Sequence, residues 1–147
     1  MKLLLDTNVL FSALGFRGTV GWLLEVIVHQ GHTLVTSEYL LEELRQKIRE
    51  KFQGDQKEAA LDLLLFILSR IPLDVKKAGQ YRQNLPRALE VVPEQDAPIL
   101  AVALLEDVDY LVTGDKHFLE SKEVKALLGE RLKSPREMLA LLGDCDL

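Results

Sequence analysis

The sequence predicts an α/β fold in which a central parallel sheet is covered by helices on both faces. Two patterns carry this expectation. Short apolar runs that suit strands buried on both sides alternate with longer stretches at helical spacing, and each clear strand runs into an acid or an N-cap residue within two positions. Strands separated by helices in one sheet imply parallel pairing through crossovers that place helices on both faces. At 147 residues, with no repeat, low-complexity tract or Pro/Gly-rich linker, residues 1–147 are expected to form one domain with one core.

The first strand is expected at 2–5, an apolar run ended by Asp6 and too short for a helix. Helical signals resume over 19–30, where Val20, Leu23, Leu24, Ile27 and Val28 recur at helical spacing and Gly31 supplies the stop. A second strand follows at 32–36 (HTLVT). Ser37 then reads as the N-cap of a helix with Leu40, Leu41, Leu44 and Ile48 on one face. Gly54 breaks the chain, and Asp55 with Glu58 has the spacing of a capping box for a helix to about residue 69 that is apolar nearly all round. Pro72 confines a short strand at 71–75 to an edge or a terminus. Residues 88–92 are ambiguous. Asp96 with Pro98 opens a helix through about 106, because proline is tolerated in a first turn that needs no donor. The third clear strand, 110–113 (YLVT), ends in Gly114 and Asp115. Ser134, Pro135 and Glu137 combine an N-cap, an N1 proline and a capping-box partner for a last helix to 142.

Composition excludes several classes of function. One cysteine, Cys145, rules out an internal disulfide framework and a Cys-rich zinc site, and it suits a reducing cytosol. The longest nearly unbroken apolar stretch, 59–68, contains Asp62 and is about half of the roughly 20 residues a membrane span requires, so no span is expected. The opening MKLLLDTNVL does not read as a signal peptide. A net charge of -5 argues against coating nucleic acid by bulk attraction, so any phosphate binding must be local. Charge is also segregated. Residues 88–115 hold no Lys or Arg but include Glu90, Glu94, Asp96, Glu106, Asp107, Asp109 and Asp115. Lys76, Lys77, Arg82 and Arg87 precede this stretch, and Lys116, Lys122, Lys125, Arg131, Lys133 and Arg136 follow it. A solvated face with scattered charges would also read this way.

In an open parallel sheet, ligands sit beyond the carboxyl ends of the strands, where loops and helix N-termini converge. Asp6 and Asp115 follow strands at that edge, Asp96 opens a helix there, and Glu42 or Glu43 lies about two turns into the helix after the second strand. The helical wheel does not choose between the two glutamates. Each residue also has an ordinary reading: Asp6 and Asp115 as turn acids, Asp96 as an N-cap, the glutamates as solvated helix residues, and Asn8 and Thr113 as caps of backbone groups. What sets them apart is their coincidence at one sheet edge. Four carboxylates gathered in a crevice repel one another, and the economical counter-ion is a hard divalent cation with oxygen ligands, Mg²⁺ or Mn²⁺. Such ions assist in-line displacement at phosphorus, so phosphodiester hydrolysis is the expected chemistry.

LLLDTNVLFSAL, VTSEYLLEEL, EQDAPILAVAL and YLVTGDKHFL, in that order, resemble the PIN domain over essentially the whole chain. The resemblance implies a three-layer PIN-like α/β fold and a Mg²⁺- or Mn²⁺-dependent ribonuclease with Asp6, Glu43, Asp96 and Asp115 as its acidic quartet. Its Glu-Leu pair selects Glu43 over Glu42, and Asn8 and Thr113 match accompanying polar positions that orient ligands or a water. On this basis Asp6, Asp96 and Asp115 hold the metal, with Glu43 completing the site directly or through water, and RNA is cut to a 3′-hydroxyl and a 5′-phosphate. Small stand-alone members are often the toxin of a toxin–antitoxin pair, commonly homodimers inhibited by a cognate antitoxin, which implies a cytoplasmic protein with an RNA substrate. Arg17, Arg82, Arg87, Lys116 and Lys122 are candidates for holding flanking phosphates, and His117 lies beside Asp115.

Two rival readings remain at this stage. A haloacid-dehalogenase-type phosphatase also places an Asp after its first strand, but it needs a second Asp two residues later, where this chain has Asn8. A non-catalytic interaction module on the same scaffold draws its support from the apolar helix at 55–69, which is either enclosed or docked to another chain.

Overall fold

The computed structural model describes residues 1–15 and 19–143; Arg17 and Cys145 lie outside them. Among the described residues five strands form one sheet: β1 (Lys2–Leu5), β2 (Thr33–Ser37), β3 (Leu73–Lys76), β4 (Tyr110–Val112) and β5 (Leu132–Lys133). Every pairing is parallel and the order is β3-β2-β1-β4-β5. The helices are α1 (Thr7–Gly15), α2 (Thr19–Gln30), α3 (Glu38–Lys51), α4 (Asp55–Arg70), α5 (Ala78–Tyr81), α6 (Leu85–Leu89), α7 (Ala97–Ala103), α8 (Lys116–Leu119), α9 (Lys122–Leu128) and α10 (Pro135–Gly143).

Because successive strand residues face opposite sides, Leu3 and Leu5 enter one core and Leu4 the other. The first core joins the sheet to α1, α2, α3, α4 and α10 through Leu10, Leu23, Ile27, Ile48, Leu64 and Met138. The second joins Leu4, Val35, Leu111 and Leu132 to α7, α8 and α9, with Leu100, Phe118, Val124 and Leu128 fully or almost fully buried. With both faces covered the strands read as unbroken apolar runs, which is why 2–5 carries no polar alternation. The three-layer α/β expectation holds.

Strand order sets the position of the site. From β1 the chain winds outward through β2 and β3, then returns to the other flank of β1 as β4. The order of winding therefore reverses between β1 and β4, and a crevice opens beyond the carboxyl ends of strands at such a switch point. Asp6 continues the ladder there, its N–H donating to the Val112 carbonyl at 3.0 Å.

Several expectations shift. The second strand lies one residue later, at Thr33–Ser37, because Ser37 both ends β2 and caps α3, its Oγ accepting the Leu40 N–H at 3.1 Å. The helix α1 was not expected; its start carries the β-branched Thr7 and Val9, poor helix formers, and it is held by packing on α2 and α3. The Asp55/Glu58 capping box does not form. Gly54, at a φ of 57° that glycine adopts without strain, is the N-cap of α4, and Asp55 is the first helical residue. The helix after Asp96 stops at Ala103 and not near 106, since the Arg131 guanidinium donates to the carbonyls of Ala103, Leu105 and Val108 and holds a turn there. Residues 88–92 resolve into the end of α6 and a turn, and α5, α8, α9 and β5 carry no clear signal in the sequence. As Pro72 requires, β3 is an edge strand. The Ser134/Glu137 capping box forms in both directions, at 2.9 and 3.1 Å.

Part of the flanking basic charge is structural. Lys76 is only 4% exposed and pairs with Asp107 at 2.6 Å and Asp74 at 3.0 Å, while Lys2 reaches Asp74 at 2.8 Å. Bonds from Lys2 hold the Asp74 carboxyl below its usual range, and bonds from Lys76 do the same for Asp107. Lys76 and Arg131 thus tie the segment between α7 and β4 to the rest of the fold and are not free for phosphate. Among the described residues no helix is long and apolar enough to cross a membrane.

Candidate active site

Asp6, one residue past β1, is 4% exposed, so its carboxylate needs donors. Thr113, at the end of β4, supplies one: its hydroxyl donates to Asp6 Oδ2 at 2.8 Å and accepts the Asp115 N–H at 3.0 Å. One fully buried hydroxyl therefore joins the two strand ends on either side of the switch point. Asp115 also acts as an N-cap, its Oδ1 accepting the His117 N–H at 2.8 Å, so the turn-acid reading is correct for that oxygen. Asp96 is the reverse case. It sits at the N-cap position of α7, yet its side chain makes no capping bond, which leaves both oxygens uncommitted to the helix.

Glu43 and Glu42 part in the structure. The Thr7 hydroxyl, at the start of α1, donates to Glu43 Oε1 at 3.0 Å, whereas the Glu42 side chain is 57% exposed and lies 3.7 Å from Arg45. A helical wheel could not separate neighbours; a threonine on another helix does. Tyr39, a residue the sequence reading passed over, ties the acids together from outside. Its hydroxyl donates to the Gln95 carbonyl at 3.0 Å, pinning the turn that carries Asp96 to the helix that carries Glu43. Asn8 does not cap backbone; its Oδ1 accepts from the Lys47 ammonium on α3.

The charges of the four acids act on one another. Burial lifts the Asp6 carboxyl above its ordinary range, with the Asp115 charge adding to the rise and the Thr113 bond, the Thr7 N–H and Lys47 opposing it. Burial likewise raises Glu43, helped by Asp6 and Asp96 and opposed by Thr7 and Lys47. Asp96 is raised by burial, then by Asp115 and Asp6, with His117 opposing. Asp6 is the hub of this set, coupled to each of the other three. Arg82, Arg87, Lys116 and Lys122 are exposed, as phosphate-holding residues would be, but the lysine whose charge acts on Asp6 and Glu43 is Lys47. Arg17 lies outside the described residues.

Among the described residues no three acid, imidazole or thiol groups stand close enough to enclose a cation by themselves. The donor set nonetheless fits a hard ion in its chemistry. Mg²⁺ keeps several of its waters and takes only one or two carboxylates directly, so spaced oxygen ligands around a partly hydrated ion suit it better than a tight cage.

A family model of the PIN domain matches residues 2–117. The chain belongs to the PIN domain family. Solved structures agree on the fold. VapBC2 from Rickettsia felis, bound to a DNA fragment from its promoter, superposes with a TM-score of 0.62 at 22% identity, covering 91% of this chain and 98% of that one. PAE2754 from Pyrobaculum aerophilum gives a TM-score of 0.66 at 17% identity over 98% and 90% of the two chains. FitAcB from Neisseria gonorrhoeae gives 0.61 at 18% identity over 90% and 97%. Among curated protein sequences no match is found. PIN domains are in general nucleases that use divalent metal ions, which places this chain among the hydrolases and makes the crevice at the β1/β4 switch point the place to look for its chemistry.

The raised carboxyls of this PIN domain have a consequence for stability. A carboxyl whose folded pKa lies above its unfolded value costs the fold stability above the folded pKa, and the cost fades as pH falls through it. Asp6→Asn is therefore expected to raise Tm at pH 7 in the presence of a chelator, with the gain shrinking as the pH is lowered toward about 4, the ordinary carboxylate range. Thermal unfolding across that pH range measures it, and a loss of Tm at neutral pH would contradict the assignment of Asp6 as an acid raised by burial.

Proposed function

We propose that this PIN domain is a divalent-metal-dependent endoribonuclease, the toxin component of a toxin–antitoxin pair. The observation that supports this best is the buried Asp6 carboxylate at the switch point, held by the Thr113 hydroxyl and electrostatically coupled to Asp115, Asp96 and Glu43, the last held by the Thr7 hydroxyl. In this reading Asp6, Asp96 and Asp115 hold Mg²⁺ or Mn²⁺, with Glu43 directly or through water. The bound ion supplies charge to polarise the phosphate and to acidify a water. The chain's own residues do the rest. Thr113 keeps Asp6 and Asp115 in register across the switch point, Thr7 turns Glu43 toward them, and the Tyr39 bond fixes the height of Asp96.

The phosphatase alternative loses ground at Asn8, where an acid is needed and an amide bonded to Lys47 is found. The interaction reading survives in a narrower form. On α4 only Ala60 and Leu64 are buried, while Leu65 is 66% and Phe66 56% exposed. An open cleft of about 850 Å³ between α2 and α4 is lined by Trp22, Leu63, Phe66 and Arg70, and none of the four acids borders it. This apolar surface supports a cognate antitoxin as the inhibitory partner, and the resemblance to VapBC2 and FitAcB is consistent with that assembly. A homodimer and a cytoplasmic location complete the proposal.

Cleavage of a mixed RNA pool is expected only with Mg²⁺ or Mn²⁺ and to stop with a chelator. Asp6→Asn should lower it by at least about 100-fold, and Thr7→Val and Thr113→Val by roughly 10–100-fold, the usual cost of removing a group that orients a metal ligand. Glu42→Gln should not change it. Full activity of Asp6→Asn in Mg²⁺, or hydrolysis of an aryl phosphate with no RNA cleavage, would overturn the nuclease reading. The assembly is tested by size-exclusion mass across a dilution series, in which a dimer is expected and a monomer at every concentration would remove the homodimer.

A further inference from the structure

Lys47 lies one helical turn beyond Glu43 on α3, so both side chains project from the same strip of that helix toward α1. Its ammonium donates to Asn8 Oδ1 and stands 5.7 Å from the centroid of the Phe11 ring, which itself packs on Phe52 at 5.7 Å. Asn8 and Phe11 are three residues apart on α1 and form two anchors for one long side chain. The lysine is close enough to lower the carboxyls of both Asp6 and Glu43. Yet among the described residues it forms no ion pair within 4 Å, unlike Lys76, which closes directly on Asp107 and Asp74.

That difference separates two kinds of lysine. A lysine serving as a structural counter-ion binds a carboxylate, as Lys76 does. Lys47 is held by an amide oxygen and a ring face, neither of which neutralises it, and it is only partly buried. Of its three donors the amide takes one. The two tethers also restrict a side chain that would otherwise lose much rotamer freedom on binding a ligand. A charge placed this way beside an acidic pocket opposes the repulsion a polyanion meets there.

We propose that Lys47 is a phosphate clamp: it holds a non-bridging oxygen of an RNA phosphodiester at the mouth of the acidic pocket and so positions the strand for hydrolysis. This rests on the nuclease reading above. An ammonium is a point charge that reads phosphate and not base, so the contribution is independent of RNA sequence.

The test compares wild type with Lys47→Met, which keeps length and removes charge, and Lys47→Arg, which keeps charge. With a labelled single-stranded RNA, Lys47→Met is expected to raise KM about tenfold, with the loss falling on KM and not kcat. The slope of log(kcat/KM) against log salt should become shallower by about 0.7, the value for one phosphate contact on a single strand. Lys47→Arg should restore both. Unchanged KM and slope in Lys47→Met would overturn the clamp, as would a lower Mn²⁺ requirement with unchanged KM, since Lys47 would then be a competitor of the cation. If wild type cleaves no RNA, the nuclease reading falls, and anisotropy of the same RNA with the three proteins still decides Lys47 by comparing their salt slopes, equal slopes overturning it.

Discussion

The structure turns on a conflict between topology and charge. A parallel sheet whose strand order reverses between β1 and β4 brings the loops after both strands to one crevice, and this chain puts an aspartate on each. Burial makes the charged form of Asp6 costly, and the Asp115 charge adds to that cost. The strands cannot move apart to relieve it, because Leu3, Leu4 and Leu5 on β1 and Leu111 and Val112 on β4 are 0 to 1% exposed and locked into the two cores. That cost is offset instead by small local donors. Thr113 bridges Asp6 and Asp115, Thr7 holds Glu43, and Lys47 brings a positive charge without closing on either acid.

The same chain handles charge in a second, opposite manner elsewhere. Lys2, Lys76, Asp74 and Asp107 form a paired cluster in which both carboxyls fall below their usual range, which is how charges behave when they serve the fold. At the crevice three carboxyls rise. Carboxyls shifted in opposite directions within one small protein separate charges paired within the fold from charges held without a pairing cation, the pattern that marks a candidate site.

Much of this was legible in the sequence, and the misses have physical causes. Periodicity and punctuation found β1, α2 and the cap at Ser37 because each depends on local chemistry. Asp6, Asp96 and Asp115 were visible as acids at strand ends or helix starts. The helix α1 escaped because packing on α2 and α3, not propensity, stabilises it, and the short β5 exists through its pairing with β4. The choice of Glu43 over Glu42 needed either the family resemblance or Thr7, 36 residues away in sequence, and a wheel shows neither. Lys47 and Tyr39 were missed because their meaning lies in contacts with Asn8 and with the Gln95 carbonyl, which composition and spacing do not carry. The basic flanks misled in part, since Lys76 and Arg131 are spent on the fold.

Titration calorimetry with Mn²⁺ in buffers of different ionisation enthalpy tests the central claim most directly, because carboxyls raised by burial and by one another's charge must shed protons when a cation binds among them. Mn²⁺ is expected to bind, the number of protons released is expected to grow as the pH is lowered from neutral, because the carboxyls are raised, and neutralising Asp96 is expected to abolish both. Binding with no proton release at any pH, or no binding at all, would contradict it.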